Sequence, residues 1–141
     1  MSKVSVIGLG KIGLPLAVQF ALKGHHVIGV DINRSTVHTI NKGCEPFPGE
    51  AHLQTTLQQV MDNGNFSATT SYLEAIPDSD VIVVVVPLFV DDDGVPDFQW
   101  MDQATEELAR HLTSNTLVAY ETTLPVGTTR TRWKPMIERI S

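Results

Sequence analysis

Three glycines set close together after a β-branched run constrain this chain more than any other feature. Lys3 to Ile7 (KVSVI) reads as a strand, and Gly8-Leu9-Gly10-Lys11-Ile12-Gly13 follows it at once in the pattern G-x-G-x-x-G. Ile12 to Lys23 (IGLPLAVQFALK) then places Leu14, Val18, Ala21 and Leu22 on one helical stripe, with Gly24 suited to a C-terminal cap. Pro15 falls in the first turn of that helix, where backbone N–H groups lack intrahelical partners. Strand, turn and helix in this order give the glycine pattern its meaning. Gly8 makes the tight turn, Gly10 lets a pyrophosphate approach the backbone, and Gly13 lets helix and strand pack closely. The unpaired N–H groups at the helix start, with their partial positive charge, then hold the phosphates.

An acid follows at the matching distance. Val27 to Asp31 (VIGVD) reads as a second strand, and its last residue stands 18 positions after Gly13, against about 20 expected for a ribose-binding carboxylate. Asp31 can accept hydrogen bonds from both adenine-ribose hydroxyls, and its charge repels a 2′-phosphate, so NAD is favoured over NADP. Arg34, three residues on, could clamp that phosphate instead. Lys11 either adds positive charge beside the pyrophosphate or points into solvent. The plain alternative for the whole motif is a glycine turn without ligand and Asp31 as a helix cap.

The rest of the chain keeps alternating. Arg34 to Lys42 reads as a short helix closed by Gly43, Cys44 to Gly49 (CEPFPG) as a loop, and Glu50 to Asn63 as a helix with Leu53, Leu57, Val60 and Met61 at helical spacing. Phe66 to Thr69 is a short third strand. Asp80 to Val86 (DVIVVVV) is apolar on both faces, the pattern of a central parallel strand covered on both sides. Asp91 to Asp97 (DDDGVPD) reads as a loop, Trp100 to Leu112 as a helix, and Leu117 to Tyr120 as a fifth strand. The turn Glu121 to Gly127 (ETTLPVG) and a last helix, which Pro135 should kink or break, complete the chain. Parallel strands joined by helices give a single α/β domain with a doubly wound, mostly parallel sheet, for which strand order 3-2-1-4-5 is expected. Ligands in such sheets sit beyond the carboxyl ends of the strands, so Gly8, Pro87 and Thr122 should line one crevice.

Composition narrows the partners. Lys plus Arg is 10 against 16 Asp plus Glu, a formal net charge of -6, which argues against nucleic acid. Four basic residues near the end (Arg130, Arg132, Lys134 and Arg139) read as a solvated helix face. The longest unbroken apolar stretch, Val81 to Val90, is too short to span a bilayer, so no membrane partner is expected. The single cysteine, Cys44, can form no internal disulfide, which suits a reducing, cytoplasmic setting. The five histidines show no metal-ligand spacing and no paired nucleophile, so no metal site is expected.

Two stretches, VIGLGKIGLPLAVQFALKGHHVIGVDIN and VAYETTLPVGTT, carry a family resemblance. With them the chain resembles the N-terminal, Rossmann-type NAD-binding domain of the UDP-glucose/GDP-mannose 6-dehydrogenase family, over essentially its whole length. The second stretch is the more telling, since it matches the family's Ser/Thr-Thr-hydrophobic-Pro-x-Gly-Thr turn after the fifth strand. The resemblance implies that Gly8, Leu9, Gly10, Lys11, Ile12 and Gly13 bind the NAD pyrophosphate, that Asp31, with Arg34 beside it, binds the adenine ribose, and that Val86, Pro87 and Leu88 lie along the cofactor. Thr122 and Thr123 would sit at the nicotinamide end, Thr123 as the catalytic residue that helps position a water. On residues alone, the two threonines could equally be a polar turn satisfying local backbone groups. Members of the family oxidise the C6 alcohol of a nucleotide sugar to a carboxylate with two NAD, through a thiohemiacetal and a thioester on a cysteine. That cysteine, the central helix through which family dimers form, and the sugar-nucleotide domain are absent from residues 1–141, so this chain alone is expected to turn nothing over. Cys44, in the loop after the second helix, is expected to be an inert thiol.

The chain departs from the family in three places. Val86-Pro87-Leu88-Phe89 stands where Val-Pro-Thr-Pro is common, Thr36 where a basic residue is common, and Lys11 where an aromatic is usual. A second function class is a regulatory nucleotide-binding module of a potassium transport system, which shares the glycine turn and the acid but has no need of ETTLPVGTT. A third, an S-adenosylmethionine methyltransferase, fits the glycine turn and the later threonines less well.

Overall fold

The computed structural model describes residues 2–141. Its main sheet has five strands, β1 (Lys3–Ile7), β2 (His26–Val30), β3 (Phe66–Thr69), β4 (Val81–Val84) and β7 (Leu117–Tyr120), ordered β3-β2-β1-β4-β7. Every neighbouring pair is parallel, with Val4 opposite Val27 on one side of β1 and opposite Val81 on the other. This is the doubly wound order expected from the sequence, with the winding direction reversing between β1 and β4.

The period of two along the strands builds two separate cores. Val4, Val6, Val27 and Val83 point to the face covered by α1 (Gly13–Leu22), α2 (Arg34–Asn41) and α3 (Leu53–Asp62). Ile7, Val30, Ile82 and Val84 point to the other, covered by α4 (Tyr72–Ala75), α5 (Gln99–His111) and the C-terminal helical segment. Because β1 and β4 are buried on both faces they need apolar residues at successive positions, and burial of each such valine contributes roughly 1.5–3 kcal/mol. Ser5 is the exception on β1. Its hydroxyl donates to Ala75 O at 2.6 Å and lies 2.8 Å from Ser79 Oγ, which satisfies a polar group with no exposure to solvent.

Several boundaries differ from expectation, each for a local reason. Strand β4 stops at Val84, not Val86: Val85 still donates to Ile7 O at 2.8 Å, and then the chain leaves the sheet. Asp31 lies one residue beyond β2. Helix α3 starts at Leu53 rather than Glu50 because His52 takes a left-handed conformation at φ 61°. The stretch Asp91 to Asp97 is not all loop: β5 (Phe89–Val90) and β6 (Pro96–Asp97) form a small antiparallel hairpin, turned by Asp91, whose Oδ1 accepts from the amides of Asp93 and Val95.

The last helix is neither simply kinked nor broken at Pro135. Residues Thr129–Trp133 form a π-helical turn, and α6 (Lys134–Ile140) starts after it, so Pro135 falls in a first turn where its missing N–H costs little. Nor is the basic cluster only a solvated face. Arg132 makes two hydrogen bonds to the Asp102 carboxylate on α5 and lies 4.6 Å from the centre of the Phe98 ring. Trp133, fully buried, donates through Nε1 to the same carboxylate and stacks on Tyr120 with ring centres 4.7 Å apart. Together these contacts fasten the C-terminal segment to the start of α5 and to the end of β7.

Candidate functional site

The carboxyl ends of β1, β2, β4 and β7 open on a crevice of about 1080 Å³, slightly larger than the usual small-molecule or cofactor site. Its first wall is the glycine turn. Gly8 has φ +99°, a conformation side chains rarely adopt, and a Cβ there would meet Val85 O at 2.8 Å. At Gly13 the limit is contact rather than dihedral: a Cβ would lie 1.7 Å from Gly8 O, so the helix can approach the strand this closely only without a side chain. Gly10 differs from both. Nothing lies within 4 Å of the Cβ it lacks, and it lines the crevice.

Helix α1 therefore presents a bare N-terminus to this space. Its N-cap residue, Ile12, supplies no capping side chain, and no acid occupies the first turn. Leu14 N–H is taken by Gly10 O at 3.0 Å, whereas the amides of Lys11, Ile12 and Gly13 donate to no acceptor among the described residues. Most helix starts satisfy such amides with a Ser, Thr, Asp or Asn side chain. Here they are left for something else, and an anion is the ligand they suit. An open cradle at Gly10 beside free amides is what a diphosphate requires, so these residues fit the cofactor inferred from the sequence.

Asp31 faces the turn from the end of β2. Its Oδ2 accepts from Leu9 N–H at 2.9 Å and its Oδ1 from Asn33 N–H at 2.9 Å, which fixes the carboxylate against both loops while lone pairs on each oxygen stay available. On the opposite side, Thr122 Oγ1 donates to Val86 O at 2.9 Å and Glu121 N–H to Val84 O at 2.9 Å, tying the turn after β7 to the segment after β4. Gly8, Gly10, Lys11, Ile12, Gly13, Asp31, Val86, Pro87, Leu88, Thr122 and Thr123 all line this one crevice.

Two of the residues inferred from sequence are not brought there. The Leu9 side chain is buried in the α1-side core against Gly29, where an added Cβ would meet it at 2.6 Å, and its amide is held by Asp31. Arg34 is exposed at the start of α2, outside the crevice lining. Cys44 is exposed as well, and no group of three or more His, Cys, Asp or Glu that could hold a metal occurs among the described residues.

Sequence reasoning missed the wall supplied by α4 and α5. Trp100, Gln103, Ala104 and Glu107 recur at helical spacing along α5 and all line the crevice, as does Tyr72 at the start of α4. A signal for α4 was present: Ser71 and Glu74 stand three apart, and Ser71 Oγ accepts from Glu74 N–H at 3.3 Å as a helix cap.

A family model described as "UDP-glucose/GDP-mannose dehydrogenase family, NAD binding domain" matches residues 2–141. The chain belongs to this family. Residues 2–141 are accordingly an NAD-binding domain of the nucleotide-sugar dehydrogenase type, and the match gives no support to the potassium-transport alternative. The chain is 41% identical over 141 residues to the UDP-N-acetyl-D-mannosamine dehydrogenase of Campylobacter jejuni, covering 99% of this chain and 33% of that protein. With the enzyme of the same name from Escherichia coli (strain K12) it shares 40% identity over 126 residues, covering 89% of this chain and 29% of that protein. It thus spans about a third of the length of these relatives. Among solved structures, a ternary complex of GDP-mannose dehydrogenase from Pseudomonas aeruginosa superimposes with TM-score 0.93 at 30% identity, covering 99% of this chain and 32% of that one. UDP-N-acetyl-mannosamine dehydrogenase from Staphylococcus aureus gives 0.90 at 31% identity, with coverage of 99% and 33%.

Proposed function

We propose that this chain supplies the cofactor site of a protein that oxidises the C6 hydroxyl of a nucleotide sugar to a carboxylate with two NAD. The observation that carries the proposal is the uncapped start of α1, open at Gly10 and faced by the Asp31 carboxylate. The free amides of Lys11, Ile12 and Gly13 hold the pyrophosphate over the open face of Gly10, with the Lys11 side chain adding positive charge beside it, and Asp31 accepts from the adenine-ribose hydroxyls. Val86, Pro87 and Leu88 form the wall along the dinucleotide. Thr122 holds the two loops together, and Thr123 lies at the nicotinamide end as the residue that positions a water. Bound NAD supplies the hydride acceptor. The residues that contact the sugar would lie mostly, and those that form a homodimer largely, in the parts of the relatives that this chain does not span. The names of the relatives make UDP-N-acetyl-D-mannosamine the first nucleotide sugar to assay.

Calorimetric titration of NAD and NADP against the wild-type chain and Asp31→Ala tests this. NAD should bind the wild type at least about tenfold more tightly than NADP, and the variant should lose a similar factor for NAD, since a charge-assisted hydrogen bond contributes roughly 1.5–3 kcal/mol. Unchanged NAD affinity in the variant contradicts the assignment of Asp31. Sugar oxidation by the 141-residue chain alone would show that the reacting groups are not elsewhere.

A further inference from the structure

The adenosine end of the crevice holds side chains that the account above has not used. Ile32, next to Asp31, is 67% exposed although apolar, and it lines the crevice. Tyr72 is half-buried on the same wall, and its hydroxyl has no hydrogen-bond partner among the described residues. Glu107 arrives from α5. Its Oε1 accepts from Arg110 Nη1 at 2.7 Å, on the same helix, whereas Oε2 is not engaged by any described residue. Helix α4, which carries Tyr72, packs against both β2 and α5, and Asp31, Tyr72 and Glu107 all line the crevice; burial, with the charges of Glu107 and Asp31 adding to it, holds the Tyr72 phenol well above its ordinary pKa.

We infer that Glu107 reads the exocyclic 6-amino group of the adenine, with Ile32 and Tyr72 flanking the base. The inference rests on the assignment of this crevice to NAD. With the ribose on Asp31, the base lies at this end. An adenine edge offers a single strong donor group, the 6-amino group, while its ring nitrogens only accept. A carboxylate accepts and cannot donate, so it attracts that amino group and gains nothing from a purine that carries hydrogen at position 6. Two carboxylates at one end, Asp31 and Glu107, also oppose a 2′-phosphate more strongly than one would. Glu107 is thereby a specificity-determining residue rather than a catalytic one.

The test compares NAD with nicotinamide purine dinucleotide, in which hydrogen replaces the 6-amino group and N1 still only accepts. Both are titrated calorimetrically into the wild-type chain and into Glu107→Gln. The wild type should prefer NAD by about tenfold or more, the factor that a hydrogen bond to a charged group typically supplies. In Glu107→Gln the neutral amide oxygen makes a weaker hydrogen bond to the amino group, so the preference should fall to about threefold or less. Equal wild-type affinity for both ligands overturns the inference while leaving the NAD site intact. An equal loss for both ligands in the variant, with the ratio unchanged, overturns it too. A wild-type chain that binds neither dinucleotide overturns the crevice assignment itself, and this inference with it.

Discussion

Gly10 and Gly13 lie three residues apart in one motif, and the structure predicts opposite consequences for replacing them with alanine. At Gly13 the new Cβ would stand 1.7 Å from Gly8 O, about 1.3 Å inside the 3.0 Å that real contacts respect. The obstacle is backbone, so no side-chain rotation relieves it, and α1 must lift away from β1. Overpacking typically costs about 1–3 kcal/mol, and a rigid contact of this kind belongs at the upper end or beyond it. A loss of about 3 kcal/mol should lower the melting temperature of a domain of this size by roughly 10 °C. At Gly10 nothing stands within 4 Å and φ is not positive, so alanine should leave stability unchanged or raise it by up to about 1 kcal/mol. The added methyl instead occupies the space reserved for the diphosphate and blocks its approach to the free amides. Losing one such charge-assisted hydrogen bond weakens binding by roughly tenfold or more. Differential scanning calorimetry and NAD titration on both variants separate the two effects. A Gly13→Ala protein melting within about 2 °C of wild type refutes the steric argument, given the roughly 3 °C or more expected per kcal/mol. A Gly10→Ala protein with wild-type NAD affinity refutes the phosphate cradle.

Other contacts make further predictions. Trp133→Ala removes the largest fully buried side chain and should cost about 3–5 kcal/mol in denaturant unfolding; a cost under about 1 kcal/mol contradicts its role as the anchor of the C-terminal segment. The Arg132 hydrogen bonds hold the Asp102 carboxyl below the usual carboxylate range, with a smaller contribution from Trp133. A group whose folded pKa is depressed stabilises above its unfolded pKa and stops doing so as pH falls through the folded value. The stability gap between wild type and Asp102→Asn, on the order of 1 kcal/mol for a pair this exposed, should therefore be constant from pH 7 to 5 and shrink below about pH 4. Urea melts across that range check it, and a gap that persists to the acid-unfolding limit contradicts it.

The parts of this molecule legible in sequence are those where local pattern and tertiary role coincide. β3 and β7 fall where their β-branched and apolar runs place them, and Gly8 and Gly13 meet the turn and close-packing demands that their spacing implied. Leu9 shows the limit of a motif: its place in the turn suggested a ligand contact, but its side chain is drawn into the core by the gap over Gly29. Arg34 shows another: three residues from Asp31, at the start of α2, it is near in sequence yet exposed and outside the crevice lining. The α5 wall could not be read locally, because Gln103 and Glu107 become lining only when α5 packs beside α4 on one face of the sheet. The π-helical turn likewise depends on Trp133 reaching Tyr120, a partner set by tertiary packing.

A titration of the isotopically labelled chain with NAD, followed by amide ¹H–¹⁵N correlation spectra, addresses the central claim most directly. The largest shifts should fall on Gly10, Lys11, Ile12 and Gly13, with Asn33 moving as the Asp31 carboxylate takes up the ribose. If those resonances stay still while others shift, or if they shift no more with NAD than with free nicotinamide, the start of α1 is not where the diphosphate binds.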